Sequence, residues 1–179
     1  MVGKMPLAFV DCETLGLLDH HDLFELAVIR YEPGGAFDEH VFWIASDDLE
    51  LVHADPTALR INRYYERRHA TDARKAPSEV LAVEIAQLLS GVVLAGVCVD
   101  FDARKIRKFL NRHGHQLASY HHLLDVEVFA AGKLGCGFPV DSRTLSDAFK
   151  VAYPPNAHEA LADARWARDL YVAAGGPLP

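Results

Sequence analysis

The chain has 179 residues, enough for one folded domain of ordinary size, with 50% apolar and 24% charged residues and a formal net charge of -7. That balance excludes a disordered tail, and it argues against a protein that grips long duplexes mainly by neutralising phosphates. No run nears the ~18 apolar residues of a membrane span, acids follow the amino terminus too soon for a secretory leader, and Cys12, Cys98 and Cys136 are odd in number and far apart. We therefore expect a cytoplasmic protein with no membrane partner and reduced thiols, without a disulfide frame or a zinc site.

In chain order, PLAFVD (6–11) and LFELAVIRYE (23–32) read as strands, the second nearly continuous in apolar character, as in a central strand buried on both faces. The turn signal EPGG leads into GAFDEHVFWIAS (35–46), a hairpin partner. A polar stretch, SDDLELVHADP, precedes TALRINRYYERR (57–68). Leu81, Ile85, Leu88 and Leu89 predict a helix over 78–90 with Ser78 as its cap. VVLAG (92–96) is a strand, 102–113 a helix opened by Asp102, HHLLDV (121–126) a short strand, and DVEVFAAGKL a helix closing at Gly135. GCGFPVDSR is a loop, TLSDAFKVA a short helix stopped by YPPN, and EALADARWARDLYVAA the last long helix. A strand meander followed by alternating strands and helices predicts an α/β domain with a mixed sheet, spanning 1–174, with 175–179 as a tail.

The stretch FVDCETLGL raises a question of charge. Asp11 and Glu13 are two apart at the end of a core strand, so strand alternation sends both carboxylates to one face. Side by side they repel unless a cation joins them; a strand end opening into solvent is the other reading. Asp102 precedes the apolar stripe Ile106, Phe109 and Leu110 by four, seven and eight residues, and Asp163 precedes Trp166, Ala167, Leu170 and Tyr171 in the same way. Both acids thus line up with buried faces, and neither stripe carries a Lys or Arg to pair with them. A shared divalent cation resolves all four, and hard oxygen donors suit magnesium or manganese. His158 lies on the loop entering the last helix if that helix starts near Glu159, and in its first turn if Asn156 is the cap.

With those residues assembled, the chain resembles the DEDDh (DnaQ-like) family of 3′→5′ exonucleases. FVDCETLGL is similar to the first motif, AGVCVDFDARKIRKFL to the second and HEALADA to the third, in the family's order and across nearly the whole chain. The resemblance implies a ribonuclease H-like mixed sheet of about five strands, the second antiparallel, flanked by helices. It also implies two Mg2+ or Mn2+ ions held by Asp11, Glu13, Asp102 and Asp163, and His158 as the base that takes a proton from water, a task suited to a side chain with an ordinary pKa of ~6.5. Expected partners are single-stranded 3′ ends or short oligonucleotides and, for a proofreading member, a polymerase. The family often has His-Asn before the second-motif aspartate, where this chain has Val97-Cys98; Asp100 is either a substitute polar group or an ordinary loop acid.

Thr14, Leu15 and Leu17 fall where the family lays backbone and an apolar side chain against the terminal nucleotide, and equally where any turn would leave the strand. Tyr64 and Tyr65, among arginines, offer rings for base stacking or sit on an exposed helix with a solvated basic face. Arg104, Lys105, Arg107, Lys108 and Arg112 lie off the apolar stripe of their helix, as a phosphate-guiding rim or as plain solvated charge. Two other functions stay open: another nucleotide or oligonucleotide phosphohydrolase, and a non-catalytic binding module, which has no need of the four acids and the histidine.

Overall fold

The computed structural model describes residues 5–69, 72–137 and 139–179. The first four residues of the segment read above for a leader, and residue 138 of the 135–143 loop, lie outside the described residues. The meander forms as expected from β1 (Leu7–Thr14), β2 (Leu23–Tyr31) and β3 (Phe37–Trp43), all antiparallel neighbours, with the 32–36 turn closed by a Glu32 N–H to Ala36 carbonyl bond of 2.8 Å. β5 (Val93–Gly96) runs parallel to β1, and β6 (Leu124–Asp125) parallel to β5. The sheet has six strands rather than five, because the two-residue β4 (Arg74–Lys75) adds to the edge of β3, giving the order β4-β3-β2-β1-β5-β6. Two residues of an exposed edge carry no periodicity, so nothing in the sequence marks β4.

α1 (Asp48–Val52) forms in the polar stretch, and the 57–68 segment is two short helices, α2 (Pro56–Ile61) and α3 (Tyr64–Arg67), parted by Arg63 in a left-handed conformation (φ 51°). α4 (Ser78–Leu88) starts at Ser78 itself; its cap is Pro77, so the serine makes no capping bond. α5 (Val99–Arg112) begins three residues earlier than its stripe implies, from Cys98 at φ 50°. α6 (Val126–Leu134) closes at Gly135, α7 (Ser142–Phe149) is capped by Asp141, and α8 (Ala160–Ala173) follows Glu159.

Alternation along the strands divides the core. Ala8, Val10, Leu26, Val28 and Leu94 pack under α4 and α5, where Leu81, Ile85, Leu89, Ile106, Phe109 and Leu110 are buried. Phe9, Ala27, Ile29 and Ala95 pack under α6, α7 and α8 against Leu145, Trp166, Leu170 and Tyr171. Each large side chain buried this way contributes ~1.5–3 kcal/mol. At Gly96 a Cβ would stand 2.6 Å from the Val10 carbonyl oxygen, so only glycine lets β5 lie this close to β1. The helices sandwich the sheet, and the amino end of α5 meets the carboxyl end of β1. Among the described residues no helix is long and apolar enough to cross a membrane, and the three cysteines are free.

Candidate active site

Asp11 and Glu13 continue the face of β1 that begins with Leu7 and Phe9, and the β1–β2 register breaks between Glu13 and Thr14. Such irregularities end pairing and re-aim side chains. Asp102, in the first turn of α5, accepts the Cys12 N–H at 3.0 Å through Oδ1, which ties α5 to β1. His158 lies on the loop entering α8 with φ 68°, and its N–H donates to Asp163 Oδ2 at 2.7 Å. Ligand atoms of Glu13, His158 and Asp163 all lie within 4.8 Å of one another. Asp11 and Asp102 stand outside that triplet but within its electrostatic reach.

The electrostatics are those of crowded anions. Burial, then Asp102, Glu13 and Asp163, push the Asp11 carboxyl well above its ordinary range. Burial, then Glu25 and Asp163, push Glu13 up to about 8. Asp102 is pushed up to about 8 by burial, against the hydrogen bonds from Cys12, with Asp125 adding to the rise. Burial also raises Asp163, which the His158 N–H partly offsets. Among the described residues none of the four carboxylates forms an ion pair with Lys or Arg. A bound cation would remove this repulsion, and four carboxylates with one exposed imidazole fit a hard divalent ion.

One cation does stand near these acids, and it is committed elsewhere. Glu25 lies directly opposite Glu13 in the β1–β2 register, like charges that destabilise a strand pair. Arg67 of α3 binds Glu25 through a two-oxygen ion pair, with only 11% and 3% of the two side chains exposed. Arg67 also donates to the Asn62 carbonyl at 3.2 Å and to the His158 carbonyl at 3.0 Å, and Glu25 accepts the Ala160 N–H at 3.3 Å. The sequence reading missed both residues. An acid inside the apolar run LFELAVIRY was a usable signal for Glu25; Arg67, in a four-residue helix, had none.

The residues expected to meet substrate divide by burial. Leu17 and Tyr65 are exposed, at 77% and 51%. Thr14, Leu15 and Tyr64 are buried: Thr14 Oγ1 donates to the Gly16 carbonyl at 3.0 Å, while Leu15 and Tyr64 pack with Phe24, Trp43 and Leu59. The Tyr64 ring is already held against Phe24 and Trp43, which corrects the expectation that it stacks a base.

Much of the basic face of α5, for which a phosphate-guiding rim and plain solvated charge were both open, clamps the loop after β1. Lys105, 3% exposed, donates to the Leu18 and His21 carbonyls at 2.6 and 2.7 Å. Lys108 holds the Asp19 and His20 carbonyls at 2.8 and 2.6 Å, and Arg104 and Arg112 pair with Asp19 and Asp22. Gly16 lies so close to the buried His21 ring that a Cβ would stand 2.1 Å from Nδ1. His21 itself bridges the Leu18 N–H and the His53 carbonyl. The loop thus holds Leu17 and Leu18 outward, Leu18 being 62% exposed. Asp100 is an exposed residue of α5 paired with Arg104 at 3.1 Å, and Cys98 is the exposed residue before that helix.

No protein-family model matches the sequence, and no curated protein matches it. Solved structures do. Escherichia coli exonuclease I in complex with a dT13 oligonucleotide superposes with a TM-score of 0.69 at 21% identity, over 96% of this chain and 40% of that one. The zinc-bound E. coli exonuclease I–single-stranded DNA complex gives 0.69 and 22% over 94% and 40%, and a product-bound exonuclease I gives 0.67 and 18% over 94% and 44%. The chain has a ribonuclease H-like fold. It spans less than half the length of these exonuclease I chains.

Proposed function

We propose that this protein is a metal-dependent 3′→5′ exonuclease of the DEDDh type, acting on single-stranded ends and releasing nucleoside 5′-monophosphates. The observation that supports the reading is that four mutually repelling carboxylates, none ion-paired to Lys or Arg among the described residues, include Glu13 and Asp163 with ligand atoms within 4.8 Å of those of His158. Asp11, Glu13, Asp102 and Asp163 would hold two Mg2+ or Mn2+ ions. Bound there, the ions supply the positive charge that makes a water acidic and relieves the departing 3′ oxygen. Rigid placement is the chain's own contribution: β1 fixes two acids, and the first turns of α5 and α8 bring one each. His158, exposed beside Glu13 and Asp163, accepts the proton that the water loses.

Leu17 and Leu18, held out on the clamped loop, and the exposed Tyr65 offer apolar faces for the bases near the 3′ terminus. The matched structures include exonuclease I with dT13 and dA16 oligonucleotides, which puts action on DNA ahead of polymerase proofreading. The cavity beside Arg67 is lined by Glu25, Glu39, Glu66, Asp72 and Glu159 with Arg63 and Arg67, an acidic rim that favours short oligomers over long strands and keeps an oligoribonuclease-like activity as the second reading.

The test uses 5′-labelled DNA and RNA oligomers with magnesium, manganese or chelator, comparing the wild type with Glu13→Ala and His158→Ala. Stepwise shortening from the 3′ end is expected, abolished by chelator and greatly slowed in both variants. Undiminished cleavage by Glu13→Ala rejects the metal assignment, and products other than 5′-mononucleotides favour a different phosphohydrolase.

A further inference from the structure

His158 is held in a conformation that an L-residue rarely adopts, φ 68°, and both of its backbone groups are tied. Its N–H is bound by Asp163 at 2.7 Å and its carbonyl by Arg67 at 3.0 Å. Left-handed backbone at a non-glycine residue is strained and persists only where surrounding contacts over-determine it. Arg67 is suited to that task because it is itself fixed: its guanidinium engages Glu25, the Asn62 carbonyl at 3.2 Å and the His158 carbonyl at 3.0 Å. Asn62 in turn donates to the Thr14 carbonyl at 3.2 Å, and Glu25 accepts the Ala160 N–H at 3.3 Å. One network therefore connects the end of β1, the middle of the sheet, α3 and the start of α8.

We infer that Arg67 is a positioning residue, and that its buried pair with Glu25 holds the His158 backbone so that the imidazole faces Glu13 and Asp163. The role in turnover rests on the exonuclease reading above; the role in holding residue 158 does not. Glu25 would otherwise be an uncompensated carboxylate opposite Glu13, and pairing it with a five-donor fork turns a repulsive contact into an anchor. Lysine has the charge but not the fork, so it can reach Glu25 or the carbonyls and not all of them together.

The experiment uses the full chain with Arg67→Lys, and Glu25→Gln as a second variant in case the first folds poorly. In the wild-type background Arg67→Lys is expected to lower kcat about 10- to 30-fold with KM within twofold. The same change is then made in His158→Gly, which removes the imidazole and tolerates the backbone angle; there it is expected to cost less than twofold. An equal loss in both backgrounds overturns the inference, since Arg67 would then act on the site as a whole. Independently of any activity, the His158 amide is expected to exchange with solvent about 10-fold faster in Arg67→Lys or Glu25→Gln. Unchanged exchange in a folded variant overturns the positioning role even if the exonuclease reading stands. Faster exchange in a chain that shows no hydrolysis upholds it while the exonuclease reading fails.

Discussion

On the α5 side of the loop after β1, Arg104, Lys105, Lys108 and Arg112 all have partners, and Asp22, although partly buried, is held below its ordinary pKa by hydrogen bonds from Lys108 and Arg112. Asp11, Glu13, Asp102 and Asp163 lie within electrostatic reach of one another, none of them ion-paired to Lys or Arg among the described residues, and each carboxyl is pushed upward. The same strand end thus borders a charge-matched region and a charge-frustrated one. Matched charges hold a shape, whereas unmatched buried carboxylates are a standing cost that a stable fold keeps only where something outside the chain is to be bound.

The sharpest way to break this contrast is to remove a frustrated charge. Asp11→Asn or Asp163→Asn is expected to lower kcat on a DNA oligomer roughly 10³-fold or more, since the metal contribution is worth several kcal/mol. The same variants should melt at or above the wild-type temperature in chelator, because each relieves repulsion. A variant that melts well below the wild type and keeps its activity would invert the two regions.

A second test follows from protonation. Glu13 and Asp102 have ordinary values of 4.5 and 3.8 and both reach about 8 in the folded chain. Folded-state values above the unfolded ones mean that their stabilising contribution is complete below the ordinary value and is lost as pH rises through about 8. The chelator-held chain should therefore lose stability between pH 5 and pH 8, Glu13 alone accounting for at most about 3 kcal/mol at pH 7. Added magnesium should raise the melting temperature more at pH 8 than at pH 5.5. Melting curves flat with pH in both conditions would remove the frustrated pocket.

Changes in the matched region should act on stability first. Lys105→Met leaves the Leu18 and His21 carbonyls without their donor and is expected to cost about 2 kcal/mol in urea unfolding. It should also raise KM more than it lowers kcat, as the loop carrying Leu17 loosens. Smallest of all, Arg104→Ala removes solvent-exposed pairs with Asp19 and Asp100 and should change stability by less than about 0.5 kcal/mol. A larger loss would mean that the clamp acts as one cooperative unit.

Strand and helix identities were legible wherever one face repeated. Asp102 and Asp163 stand in register with stripes that are indeed buried, and β1 to β3 form the expected meander. Ser78 misled because a capping residue type was taken for a cap position, which Pro77 holds. Lys105 misled because it is charged yet flanks the buried stripe, and its long apolar stem reaches loop carbonyls from there. Tyr64 was indistinguishable from Tyr65 in the sequence, and the Phe24–Trp43 cluster that separates them comes from other elements.

By itself the sequence determined the local quantities: which residues form strands and helices, which faces are apolar, and that Asp102 and Asp163 line up with apolar stripes. Periodicity is a property of neighbours along the chain, so it can be read without coordinates. Only the tertiary structure decided who pairs with whom: that Arg67 belongs to Glu25 and the His158 carbonyl, that the α5 cations hold a loop, and that the four acids have no such counterpart among the described residues. Partnership depends on distances of a few ångströms between residues separated by 91 positions, as Arg67 and His158 are, or 135, as Glu25 and Ala160 are, and charge alone does not specify which of many candidates will meet.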